Sequence, residues 1–100
     1  MSIENITLSP VRIAQFCADN GICKFSFFGS VLRDDFHASS DVDVLVEFDT
    51  GLMITYLDKA RMCRELSGMI GRTVDLRTPS ELSPYFRSKV ISSASIQYVR

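Results

Sequence analysis

The sequence predicts an α/β domain, with helices and strands alternating along the chain. Two segments of helical periodicity, near residues 10–20 and 54–70, alternate with short runs rich in Val, Ile and Phe. No internal repeat, low-complexity tract or Pro, Gly and Ser-rich linker divides the chain. A length of 100 residues with 46% apolar content suits one core and one domain, residues 1–100.

Each element has its own signal. Ser9 is placed to cap a first helix, Pro10 suits its first turn, and Ile13, Phe16 and Cys17 share a face before Asn20-Gly21 ends it. Ile22 to Phe28 has the β-branched and aromatic content of a strand, and Gly29-Ser30 lets the chain turn sharply into a short helix. Phe25, Phe27 and Phe28 are expected in the core. The clearest strand is Asp41 to Phe48, with Val42, Val44, Val46 and Phe48 on one face and Asp41, Asp43, Leu45 and Glu47 on the other. A helix around Ile54 to Ile70 follows, with Leu57, Ala60, Cys63, Leu66 and Ile70 as its buried stripe and Gly71 as its stop. Thr73 to Arg77 is a third strand carrying Asp75. Thr78-Pro79-Ser80-Glu81 has the pattern of a capping box, a last helix is expected over Ser83 to Ile91, and Ile96 to Val99 forms a final short strand.

Composition excludes several classes. Eleven Lys and Arg against twelve Asp and Glu leave a net charge of −1, without the basic field of a dedicated nucleic-acid binder. RNA is therefore not an expected partner, and Arg72, Arg77, Arg87, Lys89 and Arg100 are read as scattered, solvated charges. No stretch approaches the roughly 18 apolar residues of a spanning helix, and Met1-Ser2-Ile3-Glu4 does not begin a secretory signal, so no membrane association and a cytoplasmic location are expected. Cys17, Cys23 and Cys63 are an odd set without CxxC spacing, read as buried small apolar residues of a reducing compartment. His37 is the lone histidine and is read as an exposed loop residue.

The chemistry concentrates at Gly29-Ser30, Asp41-x-Asp43 and Asp75. Glycine allows close approach of backbone to a ligand, and Ser30 at a helix start offers amide hydrogens and a hydroxyl to phosphate oxygens. Arg33, about one turn on, adds a cation. Asp41 and Asp43 lie on one strand face with Cα atoms roughly 6–7 Å apart, a separation from which both reach a hard divalent cation. Taken singly, each feature has a plainer reading: solvated strand carboxylates, a tight turn, an N-cap and a surface ion pair. Together, an anion cradle beside carboxylates suits metal-assisted phosphoryl or nucleotidyl transfer.

Phe28-Gly29-Ser30-Val31-Leu32-Arg33, then Ser39-Ser40-Asp41-Val42-Asp43-Val44-Leu45-Val46, and finally Gly71-Arg72-Thr73-Val74-Asp75-Leu76 resemble the signature of the DNA polymerase β-type nucleotidyltransferases. The similarity is to their small MNT branch, the minimal nucleotidyltransferases, and extends over most of residues 10–100. The resemblance implies a small mixed sheet with helices packed on one face. It implies that Gly29 and Ser30 bind the triphosphate, with Arg33 beside them. It further implies that Asp41, Asp43 and Asp75 hold Mg²⁺, as two ions, and that Asp75 helps activate the acceptor hydroxyl. Asp34 departs from the family pattern, which more often has a small residue there, and puts a charge beside the phosphates.

The implied reaction is transfer of AMP from ATP to a hydroxyl. Larger relatives carry an added domain for the acceptor, and a chain of this length has no room for one, which directs the expectation to a protein acceptor. MNT proteins of this size resemble antitoxins of HEPN–MNT toxin–antitoxin pairs, whose family role is to adenylylate a tyrosine of the HEPN ribonuclease within a hetero-oligomer. Two alternatives stay open: a nucleotide-binding antitoxin or assembly module that blocks its partner sterically, and a catalytic subunit of a small-molecule or tRNA nucleotidyltransferase. Tyr85, Phe86, Ile91 and Tyr98 are candidates for the docking surface, with core packing the expectation for Phe86 and Ile91.

Overall fold

The structure, a computed structural model, describes residues 2–3, 6–7, 9–29 and 41–100. Two short strands, β1 (Ser2–Ile3) and β2 (Ile6–Thr7), pair antiparallel with each other. The remaining described elements run α1 (Pro10–Asn20), β3 (Ile22–Phe28), β4 (Val42–Phe48), α2 (Tyr56–Ile70), β5 (Val74–Arg77), a 3-10 turn at Pro79–Glu81, α3 (Arg87–Ser93) and β6 (Ser95–Val99). The main sheet has the order β5-β4-β3-β6. It is mixed: β4 pairs antiparallel with β3 and parallel with β5, and β6 is antiparallel to β3.

Pro10 occupies the first turn of α1, where its missing N–H removes no helical hydrogen bond. Ser9 stands at the N-cap, but its side chain makes no capping bond. Gly21 closes the helix in the left-handed region at φ 67°, a conformation that costs glycine little. Ile13, Phe16 and Cys17 on α1 and Met62 and Leu66 on α2 bury one face of the sheet through Ile22, Phe25, Phe27, Val42, Val44, Val46, Val74 and Leu76. Each such side chain removed from water contributes roughly 1.5–3 kcal/mol before the entropic cost of ordering it. Phe25 meets Phe16 and Phe27 edge to face, at centroid distances of 6.3 and 5.6 Å. A register shift between Ile22 and Lys24 turns Ile22 to the core side together with Phe25 and Phe27.

Five expectations need correction. On α2 the buried residues are Met62 and Leu66, with Cys63, Met69 and Ile70 packed at the margin, whereas Leu57 is 79% exposed. The helix begins at Tyr56, so Leu57 lies in the first turn, before the helix crosses the sheet. Phe28 is not core: it sits directly opposite Asp43, and facing residues of antiparallel strands share a face. Only Cys17 is fully buried, with its thiol pKa pushed up to about 12 by burial, while Cys23 and Cys63 are half-buried. Phe86 and Ile91, expected inside, are exposed along with Tyr85, and Tyr98 instead packs against the core. The helix expected from Ser83 starts later, at Arg87. No helix among the described residues is long and apolar enough to cross a membrane.

Candidate active site

Strand alternation carries Asp43, Asp75 and Arg77 to the sheet face turned away from α1 and α2, because their neighbours Val42, Val44, Val74 and Leu76 all point into the core. Parallel register then places Asp43 beside Asp75 on adjacent strands, whose axes lie about 4.8 Å apart. The start of β4 is held to β5 by the Val42 amide, which donates to the Thr73 carbonyl at 2.9 Å. The start of β5 is held to α2 by the Val74 amide, which donates to Ser67 Oγ at 3.1 Å. Asp41 precedes β4 and is exposed, two positions from Asp43 along the same strand direction.

Gly29 ends β3 at φ 75°, beyond Phe28, which pairs with Asp43. A Cβ at Gly29 would run into Asp43 Oδ2 and lie 3.2 Å from its Cγ. The glycine is therefore required twice, by its left-handed backbone and by the carboxylate packed over it. Of the expected phosphate-binding residues, Gly29 is brought to the carboxylates, while Ser30 and Arg33, with Asp34 and His37, lie outside the described residues. Glu47 is remote from the carboxylate pair, paired across the sheet with Lys24 at 3.9 Å.

Arg77 was missed as a site residue. Its Nε donates to Asp75 Oδ1 at 3.1 Å and its terminal nitrogen donates to Oδ2 at 3.2 Å. These hydrogen bonds and the charge of Asp75, with smaller contributions from Glu81 and Asp43, raise the guanidinium pKa. The signal was present in the sequence, since residues 75 and 77 of a strand share a face.

Among the described residues, no three His, Cys, Asp or Glu side chains form a ready-made metal cage. A Mg²⁺ site does not require one, because Mg²⁺ uses one or two carboxylates and takes its other ligands from water and nucleotide phosphates. The facing carboxylates of Asp43 and Asp75, with the narrow space kept clear by Gly29, fit that demand. A groove of about 250 Å³ runs along the outer edge of β5, lined by Tyr56, Lys59, Cys63, Asp75, Arg77 and Glu81 among others. It offers an approach to Asp75 from outside the sheet.

Comparison with known proteins agrees with this fold. Residues 12–96 match the family model of the nucleotidyltransferase domain. A Methanocaldococcus jannaschii protein provisionally named a protein adenylyltransferase is 31% identical over 90 residues, covering 90% of this chain and 95% of that one. A solved structure provisionally described as a minimal nucleotidyltransferase superposes with a TM-score of 0.70 at 35% identity, covering 85% of each chain. A chain from the complex of tri-AMPylated Shewanella oneidensis HEPN toxin with MNT antitoxin shares the fold, with a TM-score of 0.65, 17% identity, and 91% and 70% of the two chains covered.

Proposed function

The chain belongs to the nucleotidyltransferase domain family, in its MNT-type minimal branch, and from that premise we propose that it transfers AMP from Mg²⁺-ATP to a hydroxyl of a protein partner. The partner proposed is a HEPN-type toxin, the acceptor one of its tyrosines, and the consequence its silencing in the cytoplasm, with residues 1–100 acting as one catalytic domain. The observation that carries the reading is the pair Asp43 and Asp75, in register on adjacent strands with Gly29 fitted against Asp43. The toxin–antitoxin complex of the same fold and the similarity to a protein adenylyltransferase support the choice of acceptor.

In this reading Gly29, Ser30 and Arg33 cradle the triphosphate, and Asp41, Asp43 and Asp75 hold the metal. Bound Mg²⁺, as two ions, would neutralise the charge that develops on the phosphates. The acceptor oxygen forms a bond to the α-phosphorus, the bond to the β-phosphate oxygen breaks, and pyrophosphate leaves. Asp75 takes the hydroxyl proton, being reachable along the groove at the edge of β5. With the Asp75 side chain 41% exposed, water competes with the acceptor unless the partner covers the site.

Co-expression with the product of the neighbouring gene, followed by intact mass measurement, tests the proposal. A partner heavier by one or more AMP groups is expected. A tight complex without added AMP would replace transfer by steric blocking, and transfer only to a small molecule or tRNA would remove the protein acceptor.

A further inference from the structure

Arg77 gives one edge of its guanidinium, Nε and a terminal nitrogen, to the two oxygens of Asp75. As an exposed ion pair it contributes little to stability, so its significance lies in where it puts the carboxylate. Asp75 stands on a strand of four residues, Val74–Arg77, and among the described residues no strand lies on its outer side to fix its rotamer. We propose that Arg77 is a positioning residue: its bidentate grip fixes Asp75 facing Asp43 and offsets the repulsion between the two carboxylates. The inference rests on the functional reading above and deepens its site.

Three features support it. The grip uses one lone pair of each Asp75 oxygen and leaves the others for a metal or an acceptor hydroxyl. The competing carboxylate near Arg77, Glu81 of the 3-10 turn, is already engaged by Lys59 of α2 and by the Thr78 amide. The third carboxylate that acts on Arg77 is Asp43 of β4, so the guanidinium lies where it screens both members of the pair. A fork of two parallel N–H bonds sets the orientation of a carboxylate plane, which an ammonium, as a point charge, cannot do.

Arg77→Ala and Arg77→Lys, in the full chain, separate orientation from charge. Mn²⁺ titration followed by electron paramagnetic resonance reads the metal site alone, and AMP transfer in the partner complex reads turnover. In Arg77→Ala, kcat falls at least about tenfold, the usual cost of losing a group that orients a metal ligand, and the KM for ATP stays within about threefold. Mn²⁺ binds several-fold more weakly in that variant, because Asp75 is no longer held toward Asp43 as a ligand. Arg77→Lys keeps the charge but loses the fork, so Mn²⁺ affinity stays below wild type and kcat at least about tenfold down. Recovery of kcat or of Mn²⁺ affinity by lysine, an unchanged kcat in Arg77→Ala, or wild-type Mn²⁺ binding in Arg77→Ala would each overturn the assignment. A wild-type chain that transfers no AMP defeats the functional reading instead, and the Mn²⁺ measurement still judges Arg77.

Discussion

Asp43 and Asp75 owe their meeting to one register, Val42 beside Val74, which fixes every later pair along the two parallel strands. Replacing Asp43 by Asn removes charge from a half-exposed position without opening a cavity, so the melting temperature should stay close to wild type. AMP transfer should fall at least about a hundredfold, because charge stabilisation at the reacting phosphate is lost. Undiminished labelling of the partner by Asp43→Asn would remove it from the metal site. Gly29→Val is a different kind of change. A β-branched residue at φ 75° costs about 1–3 kcal/mol, and its side chain collides with Asp43. Both the thermal midpoint and the affinity for a non-hydrolysable ATP analogue should drop, with calorimetry separating the two losses.

The two capping boxes bear on how the elements are started. Thr55 Oγ accepts from the Asp58 amide at 3.1 Å, and the Asp58 carboxylate accepts from the Thr55 amide at 3.0 Å. Thr55→Ala should cost about 1 kcal/mol in urea unfolding. These hydrogen bonds hold the Asp58 carboxyl below its ordinary 3.8, with Arg61 helping against a small burial effect. Glu81 is likewise held below 4.5: burial works the other way, but Lys59 and the Thr78 donors outweigh it. Both carboxyls are depressed in the folded chain, so their stabilisation is complete above those ordinary values and is lost as pH falls through the folded values. Thermal midpoints should decline in that acid range, and Asp58→Asn should flatten part of the decline. On the stripe of α2, Leu66→Ala should cost about 2–5 kcal/mol and Leu57→Ala less than about 0.5 kcal/mol. Equal losses would contradict the orientation of the helix.

Core and chemistry occupy opposite sides of one sheet, and this separation governs how the whole molecule should respond to metal. Among the described residues no carboxylate is buried in the core, so chelation with EDTA should abolish AMP transfer from ATP and, in the absence of nucleotide, leave the melting temperature unchanged. Unfolding on chelation would mean a structural metal. Tyr85 and Phe86, 93% and 61% exposed, stand on the connection that joins β5 to β6 at opposite edges of the sheet. For the proposed HEPN partner, Tyr85→Ser and Phe86→Ser should weaken complex formation by more than about 1 kcal/mol each without lowering the melting temperature. Capture of the partner at wild-type strength would place the docking surface elsewhere.

Much of this was legible in the chain. Ile22–Phe28 has the strand boundaries expected, and Asn20-Gly21, Gly71 and Thr78-Pro79-Ser80-Glu81 end or start elements where local chemistry requires. Such features depend on backbone conformation and on neighbours within a few residues, which sequence specifies directly. The placement of Asp43 and Asp75 on the face away from the core was equally legible, because strand alternation has a period of two. Legibility stopped where contacts join residues distant in sequence. That Asp75 would lie on a strand neighbouring that of Asp43 was expected, but that the two stand side by side depends on register. That Phe28 faces Asp43, and that Leu57 remains in water while Met62 is buried, depends on which part of each element crosses which neighbour. Periodicity ranks the faces of an element but carries no information about what packs on them, so those pairings belong to the tertiary structure.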